Sequence, residues 1–503
     1  MTLPAIHGSL SSLRDNRAFA ITRVYPRLTI GGAEADILVL LAGIGDTQML
    51  VTESEGPAAA VARERAAQYQ RLGPPRFVNL CRAMRLSPLI HLHTINDHPL
   101  ALIAAQMAGS QAIIQTVHND YDCEASHFVD HSIVVAPQTR WRLAAPNRST
   151  NISSGINVPT HAPPRAPIGI PARPVRLLEI RRPDKPMQAT LEQILATGLL
   201  DGVAWEATIV GIAGESHDTR IKRVGAVADP TPFLAAADVL VHASAVETFG
   251  RVVFEAMAHG ALVAATPLPP FVKAAAEGAA MHLFTHTTAQ GMAEELRTVL
   301  RELDSTSKWA ASRHRNHEFV HSRHSTDLMV ARTRQVYGCL QHQRHAPRNF
   351  LPQDAADGDF QLFGATVDAL LERRPPPPIY VGALTPRQQA ALLWIAARYG
   401  ILRKSLALST LQHVLKVLGP RPLLALDLAR HYAARNELAP ALHALDQAID
   451  LDPDKIHPYL SAITIHLTTD ERTTAGQWVT RLAQKWPEHP LLPMLAERSG
   501  VCL

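Results

Sequence analysis

Glu247 and Glu255 lie eight positions apart on a segment that starts at Asp238 and passes through Val239-Leu240-Val241 and Ser244. It continues as Phe249-Gly250 and Glu255-Ala256-Met257-Ala258 to Gly260. The pattern predicts a strand that enters a turn, and a helix from Gly250 to His259. With Glu247 on the turn and Glu255 further into the helix, both carboxylates can face one cleft. The free N–H groups of the turn and the helix start would point there too, which suits an anionic ligand. In parallel α/β sheets such clefts form at the carboxyl ends of the strands. The alternative for a bare pair of glutamates at this spacing is a solvated helix face.

Two other spacings raise metal chemistry. Asp120-Tyr121-Asp122 follows an apolar run and offers two carboxylates to a divalent ion. His317-Glu318-Phe319-Val320-His321 puts two imidazoles on one helical face, as in a zinc site, without an evident third ligand. The expectation is a polar loop and a solvated helix face, and no metal. Asp450-Leu451-Asp452 is expected to mark a helix end.

The elements that must position these residues come in two α/β runs. In the first, Ala18-Phe19-Ala20-Ile21, Met49-Leu50-Val51, Leu89–His93, Ala112–Val117 and Ser132–Val135 are candidate strands, with a helix opened by Gly31-Gly32. Six prolines between residues 159 and 174 make a linker. The second run has strands at Val175–Leu178, Ala207–Gly211, Val239–Val241 and Leu262–Ala265. Strands alternating with helices predict parallel, doubly wound sheets. The expected domains are 1–158 and 175–325, with a helix over 326–343 packing back on the first. Residues 344–386, with four consecutive prolines at Pro375–Pro378, are expected to be a second linker, which would let the parts on either side fold separately.

Residues 387–503 are helical and repetitive. Ala407, Ala441 and Ala475 are 34 apart, as are Leu411, Leu445 and Val479, and Pro420, Pro453 and Pro487 follow at nearly the same interval. Small residues at fixed places allow close helix packing, and the period resembles a tetratricopeptide repeat.

Composition narrows the function classes. Of 503 residues, 47% are hydrophobic and 19% charged, as in a globular protein. The net charge of +4 is too small to argue for nucleic acid as the main partner. Four scattered cysteines support neither a disulfide framework nor a zinc knuckle, which fits a reducing cytoplasmic setting. The first twenty residues hold no apolar run, so no signal peptide is expected. No apolar run is long enough to span a membrane, and peripheral membrane contact is left open.

The segment from Asp238 to Gly260 resembles the donor-site signature of the retaining glycosyltransferases of GT-B fold, in their large Glu-x7-Glu family (glycosyltransferase family 4-like). It matches at Asp238, Ser244, Glu247, Phe249, Gly250, Glu255, Ala256, Met257, Ala258 and Gly260, with Thr248 where a glycine is frequent. The resemblance extends over about 325 residues. Gly31-Gly32-Ala33-Glu34 is similar to the family's glycine loop, and His93 and His118-Asn119 to its strand-end histidines. Ser154–Pro159 is similar to the interdomain segment, and Ile209–Gly214 to a Val-Gly-x-Gly strand end. Arg181-Arg182-Pro183-Asp184-Lys185 is similar to the family's diphosphate grip, although the usual Arg position is Ile180 here.

The resemblance implies two Rossmann-like α/β domains facing a cleft, followed by the all-α repeats. It implies transfer of a sugar, with retention, from a nucleotide-diphosphate sugar such as a UDP- or GDP-sugar. Lys185, Arg181 (or Arg182) and the N–H groups near Phe249, Gly250 and Gly32 would bind the diphosphate. Glu255 would bind the ribose, Glu247 would sit against the sugar, and His118 would touch sugar or acceptor. No cofactor or metal is implied. The acceptor would be a hydroxyl of a protein or protein-tethered glycan, recruited by a protein-binding face of the repeats, or of a polysaccharide or glycolipid. A different class of function, a tetratricopeptide scaffold with a degenerate transferase domain, is the alternative.

Overall fold

The computed structural model describes residues 20–29, 31–45, 47–74, 76–93, 99–119, 124–161, 173–183, 185–302, 306–341, 360–374 and 384–502. The chain divides into two units. Met1–Thr29, Ile44–Asn151 and Val336–Leu503 form the first, and Ile30–Gly43 with Ile152–Gln335 the second.

The first unit holds a seven-stranded sheet of β1 (Ile21–Arg27), β2 (Gln48–Ser54), β3 (Gln68–Arg71), β4 (Leu89–His93), β5 (Ala112–Val117), β6 (His131–Val134) and β7 (Ser149–Asn151). The order is β3-β2-β1-β4-β5-β6-β7, and every pair is parallel. β4 and β5 are buried along their whole length; their apolar residues fill the core, and the buried His91, His93, Gln115 and Thr116 stand among them. The first strand is displaced from its expected place at 18–21: it starts at Ile21 and runs to Arg27, while Ala18 and Phe19 fall outside the described residues. Arg23 conceals it in the sequence, because a fully buried arginine interrupts the apolar pattern.

The stretch 344–386, expected to be a linker, contains the helix Phe360–Leu371. This helix packs on the helix Arg76–Arg85. Phe363 meets Phe77 edge-on at 6.0 Å, and both oxygens of Asp368 accept the Phe77 N–H (3.0 and 3.3 Å). Gly364 permits the approach, since a Cβ there would lie 2.5 Å from Val78 Cγ2.

Seven helices follow: Pro386–Arg398, Lys404–Leu418, Pro422–Ala434, Leu438–Leu451, His457–Thr468, Arg472–Lys485 and Leu492–Ser499. The first is opened by a capping box between Thr385 and Gln388. One turn geometry recurs after 34 residues. Asn436 and Asp470 both take left-handed φ (+61° and +58°), and the next N–H, from Glu437 or Glu471, donates back to Tyr432 or His466. Small polar residues tolerate this conformation best after glycine.

These helices are not a separate piece. One hydrophobic core runs from Val24, Met49 and Ile90 in the sheet through Phe363, Trp394 and Leu424 to Trp486 and Leu495. Polar contacts fix the same junction. Arg148 grips Asp452 (2.8 and 3.2 Å) and Asp454 (2.9 Å), Lys455 Nζ donates to the Ser126 carbonyl (3.1 Å), and the Ile456 N–H to that of Ala144 (2.7 Å). The sheet's core is thus completed by these helices.

The second unit holds β8 (Val175–Ile180), β9 (Trp205–Val210), β10 (Ile221–Gly225), β11 (Val239–His242), β12 (Leu262–Ala265) and β13 (Met281–Leu283) in the parallel order β10-β9-β8-β11-β12-β13. The chain order reverses between β8 and β11, the switch point at which such sheets take ligands. At the start of β11, Asp238 is wholly buried and receives Arg173 on both oxygens (2.6 and 2.9 Å) and the Arg176 N–H (3.0 Å). The helix Gly32–Gly43 belongs to this unit, where a Cβ on Gly43 would collide with Val330 at 2.5 Å. Among the described residues, no helix is long and apolar enough to cross a membrane.

Candidate active site

The residues singled out around Glu247 converge at the carboxyl ends of β8 and β11. The loop after β8 is stitched to the segment after β11 by Gln188 N–H donating to Ala243 O (2.8 Å) and Ala245 N–H to Pro186 O (3.0 Å). That stitching brings Lys185 against Glu247, and Lys185 Nζ donates to Glu247 Oε1. The same oxygen accepts Nε2–H of His242, the last residue of β11, at 2.7 Å. Burial alone would raise the Glu247 carboxyl, but the His242 hydrogen bond and charge, with Lys185, outweigh it and hold the carboxyl below its ordinary range. Glu247 is therefore an ionised carboxylate, only 9% exposed. Nδ1 of His242 is buried without a hydrogen-bond partner among the described residues.

Gly250 caps the helix Arg251–Ala258 at φ +80°, with no side-chain bond to the helix start. A Cβ there would also meet Phe271 at 2.4 Å, so both backbone and space demand glycine. Phe249 stacks on Phe254 (4.6 Å between centroids), so its ring serves the core. Arg251 reaches two carboxylates: Nε donates to Glu255 Oε1 (2.7 Å) and Nη1 to Asp36 Oδ1 (2.9 Å). Ser154 Oγ donates to the other Asp36 oxygen (2.7 Å). Burial raises the Asp36 carboxyl, and Arg251 and Ser154 only partly offset it. Gly32 is exposed at the start of its helix, and a Cβ there would meet nothing closer than Arg251 Cδ at 3.8 Å. Packing within the protein thus gives no reason for glycine at 32.

Arg181 is already paired. Its Nε donates to Glu179 Oε2 (3.1 Å), and the other Glu179 oxygen accepts the Leu191 N–H (3.1 Å). Burial raises the Glu179 carboxyl. Gly211, at φ +98°, lets the Arg181 carbonyl approach to 1.8 Å of where a Cβ would be. Arg182 is exposed.

His118 and His93 lie in the first unit, one beside the other, with His93 Nδ1 and His118 Nε2 3.3 Å apart. His317 is buried and its Nε2 donates to the Pro159 carbonyl (2.8 Å), which accounts for it as a structural histidine. Among the described residues no three His, Cys, Asp or Glu are grouped as metal ligands; Asp120 and Asp122 lie outside those residues. Sequence reasoning missed His242, Arg251, Asp36 and Arg23. Arg251 carried a readable signal, standing four positions before Glu255 on a helix. His242 and Asp36 had none, since a single polar residue beside an apolar run has no distinctive spacing.

Residues 186–302 match the family described as "Glycosyl transferases group 1". The chain is 25% identical over 313 residues to a phosphatidyl-myo-inositol mannosyltransferase of Mycolicibacterium smegmatis, covering 56% of this chain and 80% of that protein. Among solved structures it is similar to Anabaena HepE in complex with UDP and glucose (TM-score 0.54, 16% identity, 64% of this chain and 100% of that one). It is also similar to the sucrose-phosphate synthase of Thermosynechococcus elongatus (TM-score 0.50, 18% identity, 64% and 99%). The expected fold is borne out: two parallel Rossmann-like sheets of the GT-B type, followed by an all-helical region. On that fold, residues 186–302 carry the match to the glycosyl transferases of group 1.

Proposed function

We propose that this protein is a retaining glycosyltransferase that moves a sugar from a nucleotide-diphosphate donor to the hydroxyl of a glycan or glycolipid. The observation that carries the reading is the ionised Glu247 held by Lys185 and His242 at the β8–β11 switch point, beside a glycine-capped helix start, within the segment that matches the family. Departure of the nucleoside diphosphate breaks the bond from C1 to the phosphate oxygen. Lys185, with Arg181 and the backbone near Phe249, Gly250 and Gly32, stabilises the charge that collects on the phosphates. Space at Gly32 lets that backbone approach them. Glu255, oriented by Arg251, accepts hydrogen bonds from the ribose. Glu247 faces the positive charge that grows at C1. The acceptor oxygen bonds to the same face of C1, and its proton passes to the leaving phosphate oxygen. No metal takes part.

The glycan or glycolipid acceptor is favoured over a protein because the helices complete a core and do not hang free as a recruiting module. The mycobacterial relative, by its name, acts with a phosphatidyl-myo-inositol lipid. The test is donor hydrolysis and transfer with a panel of UDP- and GDP-sugars, with product anomers assigned by NMR and EDTA in a parallel reaction. Turnover of one donor with retained configuration, insensitive to EDTA, is expected. Absence of binding and hydrolysis across the panel would favour the scaffold alternative. Inversion or EDTA sensitivity would overturn the mechanism.

A further inference from the structure

Arg23 is buried completely in the middle of β1 and meets no carboxylate among the described residues. Its Nε donates to Gln48 Oε1 (2.8 Å). Its Nη1 lies 2.8 Å from His91 Nδ1 and 3.4 Å from His93 Nε2, which accounts for both Nη1 hydrogens. Nη2 is buried without a hydrogen-bond partner among the described residues. His91 and His93 are stacked (4.1 Å between centroids), and His93 stacks in turn on His118 (5.6 Å). A buried cation beside imidazoles, where a carboxylate would be cheaper, calls for a reason other than stability.

That reason lies in the direction of the hydrogen bonds. A guanidinium only donates. Nδ1 of His91 must therefore accept, and its Nε2–H donates to Thr116 Oγ1 (2.7 Å). Nε2 of His93 must accept as well, so the proton of His93 sits on Nδ1. Burial, and then the neighbouring His91, Arg23 and His118, push the His93 imidazole well below its ordinary range, which keeps it neutral with that one proton. Nδ1–H of His93 faces Nε2 of His118 at 3.3 Å and donates to it. His118 must then carry its own proton on Nδ1.

We propose that Arg23 is a positioning residue which, through His93, fixes His118 in the Nδ1–H tautomer, in which it cannot serve as a base in sugar transfer. The catalytic half of the statement rests on the transferase reading; the tautomer half does not. With its Nε2 lone pair taken by His93 and its proton on Nδ1, His118 has no lone pair for the acceptor proton, which goes to the leaving phosphate.

The test is the 15N NMR of histidine-labelled full-length protein, with the His118 resonances assigned by His118→Gln. A pyridine-type Nε2 and a pyrrole-type Nδ1 are expected for His118. His93→Leu removes the donor and should shift His118 towards the Nε2–H tautomer, with kcat lower by about tenfold, the worth of one hydrogen bond, and donor KM unchanged. His93→Asn, whose amide can donate in its place, should restore both. These variants leave Arg23 in place, so they remain informative if Arg23→Gln does not fold. A proton on Nε2 of wild-type His118, or a tautomer indifferent to His93→Leu, would overturn the relay even in a fully active enzyme. The expected tautomer in a protein without transferase turnover would instead overturn the transferase reading and the catalytic half, leaving Arg23's control of the tautomer intact.

Discussion

Replacing Asp238 by asparagine should destabilise the second unit by about 3 kcal/mol and leave nucleotide affinity unchanged. The carboxylate is wholly buried and holds both Arg173 nitrogens at 2.6 and 2.9 Å as well as the Arg176 N–H at 3.0 Å. Asparagine keeps the shape but turns one acceptor into a donor that faces N–H groups. Breaking a buried pair from one side costs roughly 3–5 kcal/mol, and the slight exposure of Arg173 favours the lower end. In a unit of this size that corresponds to a drop in Tm of about 6–12 °C by calorimetry. Adding Arg173→Met should recover part of the loss, giving a coupling of about 2 kcal/mol in a double-mutant cycle. Nucleotide binding, measured below the lowered Tm, should be unchanged, because Asp238 stands at the opposite end of β11 from Glu247. A loss below about 1 kcal/mol, or strict additivity of the two substitutions, would refute the pair as a structural clamp. A loss of nucleotide affinity in folded protein would refute the separation of its role from that of Glu247.

Gly250→Ala should cost about 2–5 kcal/mol in urea unfolding, from left-handed backbone plus overpacking against Phe271, and adding Phe271→Leu should restore only the packing share. Wild-type stability of Gly250→Ala would contradict that geometry. Burial lowers Lys455 to about 8 from 10.5, so the unfolded chain binds the extra proton between those values and stability rises with pH across that window. The stability of wild type relative to Lys455→Met should accordingly increase by about 2–3 kcal/mol from pH 8 to pH 10.5, and a flat difference would argue against a buried charge. A chain ended after Gln341 should fail to fold its first unit, since each lost core residue such as Phe363, Trp394 or Leu424 contributes about 1.5–3 kcal/mol. A soluble fragment in which both units melt as in wild type would contradict the shared core.

The alternation of strands with helices was readable because most positions of β4, β5, β8 and β11 are buried and each holds a short apolar run, such as Leu177-Leu178 and Val239-Leu240-Val241. Strands that departed from that rule were lost. β1 hides behind Arg23, and the half-buried edge strand β3 reads Gln-Tyr-Gln-Arg. The helix Phe360–Leu371 was obscured by the prolines that follow it, although Phe363 and Val367 are at helical spacing and buried. At the site, Lys185, Glu247, Gly250 and Glu255 were legible as a pattern. The polar partners around them were not: His242 meets Glu247 only because β11 ends where the turn folds back, and Asp36 reaches Arg251 from 215 positions away. The Arg23 row is the extreme case, since strand pairing alone sets Arg23 beside His91.

The shared core of the first unit also sets an order for synthesis. Every residue of the second unit has been translated by Gln335, so its sheet can close while the ribosome still holds the chain. The first unit has its opening strands made earliest but needs helices that end at Ser499. At about 5–20 residues per second, β1, β2, β4 and β5 wait roughly 20–95 s with the apolar faces of Arg76–Arg85 and Pro99–Met107 uncovered. The part of the chain made first is thus the last to be finished, and its exposed helices are the surface on which a chaperone would act during that interval.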